Sequence, residues 1–320
     1  MAKQRIYSIN SRIKNYFATS LEQLLISVLI SSIIILILFQ VYSLVKKQLL
    51  KIEQQITILY NQNVADFFLR DNIRKAGYKG FVSSIPFPHY SSVYTASGHQ
   101  VVPYAPIAVC KATVANCTNF VTDKVLRKII DHKIKSNTDI LLVYDIPERV
   151  TFLTEDMLEN DSKLRIALLD NAWQAGDQMI IADLKCIQRF VLSNFVGTQL
   201  AHDKPYNITN NFIKKFKRGA EVFRVKHLAF YIAKNTNYKS DSYSLYMDDL
   251  SLDTNHHAEA IVDDLENLSV QVLGSELSSE LMDASDLGWI FNKYLLINLL
   301  FKNQLIEQNF TVGIEVRNSG

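Results

Sequence analysis

The first 76 residues change polarity in three steps. Residues 1–17 are polar and carry Lys3, Arg5, Arg12 and Lys14, with no acid. From Gln23 to Val45 no residue is charged, and the run LLISVLISSIIILILFQVYSLV is mostly aliphatic. At a rise of about 1.5 Å per residue this crosses a hydrocarbon core of about 30 Å. A globular-core helix is rarely apolar on every face over such a length. A cleaved secretory signal has a shorter apolar region, about 7–15 residues, before a small-residue cut site. No such site follows here. The pattern predicts a basic leader over 1–17 on the cytoplasmic side and a retained membrane-spanning helix over 18–45. Beyond Lys46 and Lys47, apolar residues recur at Val45, Leu49, Ile52, Ile56, Leu59 and Phe67, widened by Val64, Phe68 and Ile73. Three- and four-residue spacings predict that the helix continues as an amphipathic stretch over 46–80, with Gly77 as its stop. The helix then runs from Ser20 to Ala76, roughly 55 residues or about 80 Å.

Residues 81–320 read as a β-rich head. The prolines and serines of 81–104 indicate loop with short strands, and Lys124–Lys135 could form a short helix. Strand signals dominate afterwards: 139–145, 176–183, 187–192, RVKHLAFYIA at 224–233 with SLYM at 244–247 as its hairpin partner, and a closing strand at 310–318. Residues 261–272 begin helix-like and end strand-like. Strands without intervening helices imply an antiparallel sheet. The expected fold class is α+β, a long N-terminal helix packed on an antiparallel head.

Composition narrows the function classes. Lys+Arg (34) nearly balances Asp+Glu (32), so no global basic excess points to nucleic acid. The basic, aromatic-bearing run Lys214-Lys215-Phe216-Lys217-Arg218 could touch DNA phosphates, but a solvated loop is the favoured explanation. No phosphate-binding glycine loop, nucleophile elbow or zinc-protease motif occurs, so neither an enzyme, a cofactor nor a small-molecule substrate is indicated. His256-His257 with Glu259 is a poor chelator on a strand, because neighbours face opposite ways; no metal site is assigned. Asp248, Asp249, Asp253 and Asn255 lack the turn glycine and terminal glutamate of a calcium loop. Asp263, Asp264 and Glu266 suit a polar face. Trp173, Trp289 and most tyrosines suit the core. Of three cysteines at least one is unpaired within the chain; Cys110 and Cys117 either close a small disulfide loop outside the cytoplasm or remain buried thiols.

Glu22, at the edge of the apolar run, either caps the helix from the headgroup region or awaits a positive partner. Ser20-Leu21-Glu22-Gln23-Leu24-Leu25-Ile26 behind a basic leader resembles the class III signal of type IV pilins. The segment FFLRDNIRKAGYKG at 67–80 resembles the end of the long helix in the PilW family of type IV pilus minor pilins. AGDQMIIADLKCIQRFVLSN at 175–194, with Cys186 near the family's cysteine, HLAFYIAKN, SLYMDD, AIVDDLENLSVQ and the final VRN are similar to later segments of that family, in the same order. The resemblance implies a type IV pilin-like fold in a bacterial inner membrane, single-pass, with an extracytoplasmic head that can reach the pilus tip. It implies other minor pilins and the major pilin as partners, and a prepilin peptidase that cuts between Phe17 and Ala18. It makes Glu22 the assembly residue, pairing with a neighbour's N-terminal amine. The family has glycine where Phe17 stands, which opposes cleavage. A pseudopilin of a type II secretion system, and an unrelated single-pass protein with a ligand-binding ectodomain, are the competing expectations.

Overall fold

In the computed structural model, residues 2–78, 89–92, 106–112, 134–157, 163–167, 173–203, 212, 215–235, 242–250, 258–273, 281–283, 289–290, 294–302 and 306–315 are described. One helix, α1, spans Ala2–Lys75. The sequence pattern placed its start near Ser20; instead the leader backbone is helical too. The reason is simple: no glycine or proline occurs before Gly77, so nothing in residues 1–76 interrupts the hydrogen-bond ladder. Gly77 ends it with φ +68°, and its N–H donates to Tyr144 O at 3.0 Å. A Cβ there would lie 2.7 Å from Pro106 Cβ, so both the backbone angle and the space require glycine.

The chain divides into two compact units, 1–57 and 58–320. The first is helix alone. From Leu21 onward nearly all its described side chains are exposed, including the whole apolar run.

The second unit holds the end of α1 and every described strand. In chain order these are β1 (His89–Ser92), β2 (Ile107–Lys111), β3 (Asp139–Phe152), β4 (Lys163–Arg165), β5 (Gln178–Ala182), β6 (Cys186–Val191), β7 (Asn194–Val196), β8 (Gln199–Ala201), β9 (Glu221–Lys234), β10 (Tyr243–Asp249), β11 (Glu259–Val262), β12 (Leu265–Leu273), β13 (Leu281–Asp283), β14 (Trp289–Ile290), β15 (Tyr294–Lys302) and β16 (Glu307–Glu315). The largest sheet runs β1-β6-β5-β9-β3-β2-β14, with β10 on β9 and β11 on β10. The 14-residue β9 is its spine. β3 lies along one side; β5 takes the first part of the other side and β10 the second. All these pairs are antiparallel except β1 with β6. A four-stranded sheet runs β13-β12-β15-β16, and a three-stranded one β4-β8-β7.

The α+β class and the antiparallel head therefore hold. Residues 261–272 are corrected: they form β11 and β12, separated at Asp264, whose φ is +60°. Of the helix considered for 124–135, only its end is described. There Ile134 bridges to Ala233 and Lys135 N–H donates to Ile232 O at 2.9 Å, which is strand pairing.

The main core lies where α1 meets both larger sheets. Ile58, Ala65, Leu69, Ile73 and Ala76 pack with Val109, Leu141, Phe230 and Ile232 of the large sheet and with Leu268, Val270, Ile297 and Val312 of the smaller. Two polar ties fix the docking: Arg70 Nη1 donates to Gly313 O at 3.1 Å, and Asn61 Nδ2 to Asp263 O at 3.2 Å. The buried helical positions recur every three or four residues, as a helix face must. They match the expected stripe only at its widened edge, where Ile73 is buried and Val64 packs against the core; Leu49, Ile52, Ile56, Leu59 and Phe67 are all exposed, Phe67 by 64%.

Candidate functional site

Glu22 lies on the exposed apolar stretch of α1 and is the only acid before Glu53. It makes no hydrogen bond or ion pair with any other described residue. Around it the few polar side chains are satisfied within the helix. Ser27 Oγ donates to Leu24 O at 2.8 Å, Ser31 to Ser27 O at 2.7 Å and Ser32 to Leu29 O at 2.7 Å. Such back-bonding lets hydroxyls enter an apolar medium without an unmet donor. The helix is long and apolar enough to cross a membrane. Glu22 has no equivalent device, which sets it apart from its neighbours. Phe17 and Ala18 fall inside the helical backbone; their side chains lie outside the description.

Cys110, on β2, is buried and disulfide-bonded. Cys186, on β6, is buried and takes no part in a disulfide. Cys117 lies outside the described residues, as do His256, His257, Asp253 and Asn255. Among the described residues no group of His, Cys, Asp and Glu is arranged to hold a metal.

The acidic positions of the head serve structure. Asp263 Oδ1 accepts from Ser244 Oγ at 2.6 Å and from Asn235 Nδ2 at 2.8 Å. Asp264 has its carboxyl pushed up by burial and by the Asp263 charge. Glu266 Oε1 pairs with Lys135 Nζ at 2.6 Å. These are part-buried ties between strands, where the sequence suggested a polar face. On β9, Arg224 meets Glu148 at 3.1 Å and Asp177 at 3.5 Å, and Lys226 also pairs with Glu148. Burial raises the Asp177 carboxyl, against the lowering influence of the Gln174 N–H and Arg224. Trp173 is buried with Phe190, Phe216 and Leu200 in a second core, as its composition class suggested.

Among the described residues, Lys215, Lys217 and Arg218 of the basic run lie at a cavity. Lys215, Lys217 and Arg218 join Asp183, Leu184, Lys185, Gly219 and Ala220 around a cleft of about 540 Å³. Phe216, the aromatic of the run, turns the other way and is fully buried. Spacing alone could not reveal Lys185, which comes from the β5–β6 turn some 30 residues earlier.

No protein-family model matches the chain, and neither a curated protein nor a solved structure matches it.

Proposed function

We propose that the chain is a minor pilin-like structural and assembly component of a type IV pilus, of the PilW kind. The observation that carries this reading is the division of labour along α1. One face of its last turns is consumed by the β-rich core of the head, while the uncharged run 23–45 presents exposed apolar side chains on all sides. A helix built this way has two uses, to lie in lipid and to pack among other apolar helices. A lone carboxylate at the start of the apolar run suits the second use, because it supplies a directional contact to a neighbouring subunit's amine. The inner membrane holds the subunit before assembly, with the leader in the cytoplasm and the head outside. A type II secretion pseudopilin would share the anchor and Glu22; the order of PilW-like segments through the head favours the pilus.

Because Phe17 stands where the family has glycine, processing before Ala18 is the step on which this reading turns. The test is the intact mass of the protein from membranes that contain or lack an active prepilin peptidase. A peptidase-dependent product starting at Ala18 is expected. An identical, uncleaved mass in both membranes would overturn incorporation by the processed-subunit route and favour a membrane-retained ectodomain protein.

A further inference from the structure

The cleft beside the β5–β6 turn is rich in positive charge. Among the described residues Lys185, Lys215, Lys217, Arg218 and a single carboxylate, Asp183, line it. The protein as a whole has a net charge of only +2, so this corner holds an excess that the rest of the surface offsets. Lys185, Lys217 and Arg218 are all exposed, and no carboxylate of the described residues comes within ion-pair distance of their side chains. The lining carboxylate is already engaged by the turn itself: Asp183 Oδ1 accepts the N–H groups of Lys185 and Cys186, each at 2.8 Å. The backbone donors of the opposite wall are engaged too. Arg218 N–H donates to Asp156 Oδ1 at 2.8 Å, Gly219 N–H to Leu153 O at 2.9 Å and Ala220 N–H to Lys217 O at 3.0 Å.

Those facts define what the cleft can hold. The backbone N–H groups of Lys185, Arg218, Gly219 and Ala220 are spoken for, so recognition falls chiefly to the cationic side chains. Clustered like charges destabilise one another unless a counter-charge sits among them. A monocarboxylate would answer one of the cations; a multiply charged anion answers several at once, and arginine adds a fork that fits phosphate oxygens. Base stacking is not on offer from the run's own aromatic, because Phe216 belongs to the core. A volume of about 540 Å³ lies within the usual range of ligand clefts, about 300–1,000 Å³.

We infer that this cleft binds a phosphate-bearing polyanion through Lys185, Lys217 and Arg218, by charge and without reading a base. Two sources share that chemistry, a compact oligophosphate and the backbone of single-stranded nucleic acid. This goes beyond the pilin reading and is independent of it.

The full chain in an uncharged detergent is titrated with inorganic tripolyphosphate and, separately, with a fluorescent oligo-dT 12-mer at low salt. Binding is expected, with log K falling against log salt at a slope of about −2 if three cations each release counterions as on a single strand. The variant K185Q/K217Q/R218Q is expected to bind about tenfold or more weakly, whereas K163Q, on β4 and outside the cleft, binds like the parent. All three altered side chains are exposed, and an unchanged melting curve checks the fold. Tighter binding of the oligonucleotide assigns the site to nucleic acid backbone; tighter binding of tripolyphosphate assigns it to an oligophosphate. No binding of either probe, or equal binding by parent and triple variant, overturns the inference.

Discussion

His227 shows how far a single residue can be pushed by its surroundings. It sits on β9 with its imidazole buried, Nε2 2.7 Å from Gln178 Oε1 and its ring 5.4 Å from that of Tyr144. Burial, helped by the positive charge of Arg189, brings its pKa from 6.5 down to about 3. The folded protein therefore keeps this imidazole neutral through the whole range in which the unfolded chain takes up a proton. Its contribution to stability is complete above pH 6.5 and is lost as pH falls towards 3, at up to about 1.4 kcal/mol per pH unit. Asp177 and Asp264 act in the opposite sense, since burial raises both carboxyls and the folded state gains by protonating them. Comparing variants separates the two. Urea unfolding of the parent and of His227→Gln between pH 7.5 and 5 should show the parent losing stability on acidification more steeply than the variant. Equal slopes would mean that His227 is solvated in the folded state.

At the scale of elements, the face of α1 that docks is the clearest departure from expectation. Leu49, Ile52, Ile56, Leu59 and Phe67 form a regular stripe in the sequence, yet of the widened stripe the head fully buries only Ile73, and with it Ile58, Ala65, Leu69 and Ala76 together with the polar Asn61 and Gln62. Hydrophobic periodicity cannot separate these faces, because a helix made to meet apolar surroundings on several sides is apolar on several sides. Burial of two amides, one bonded to Asp263 O, hides the docking face further. The same blurring explains why β15 escaped notice. Leu295, Ile297, Leu299 and Phe301 alternate inward, but Leu296 and Leu300 are apolar too and erase the period of two. By contrast β9 and β10 were legible, since the β-rich run and its hairpin partner stand beside each other in the chain. The docking face can be tested by truncation. Leu69→Ala should cost about 2–5 kcal/mol, a transfer loss plus a cavity, read as a lower urea midpoint of the head. Leu59→Ala, at a position 51% exposed, should change stability by less than about 0.5 kcal/mol. The reverse order would restore the stripe expected from the sequence.

For the molecule as a whole, the informative contrast is between a head that pairs several of its part-buried charges and a long apolar helical run with a single carboxylate at its start. The long apolar helix was readable because its signal needs only composition and length. The cleft was half readable: residues 215–218 announced themselves, while Lys185 joins them only through the pairing of β5 with β6 and β9. Glu22 was singled out by chemistry alone, as a carboxylate where lipid should repel one. Its isolation among the described residues gives that choice a consequence. A structural cap would hold the helix by local contacts, so its loss would reduce insertion or stability of the monomer. A contact reserved for a neighbouring subunit would leave the monomer untouched. On the proposed function, Glu22→Ala inserts into membranes in normal amount, resists alkaline extraction as the parent does, and melts at the same temperature, yet disappears from sheared pilus fractions. The cost would fall on register, because a neighbour's amine left unpaired in apolar surroundings is a large penalty, about 3–5 kcal/mol when one partner of a buried pair is removed. Normal recovery of the variant in pili would remove Glu22 from assembly, and a drop in membrane-inserted monomer would return it to the role of a helix cap.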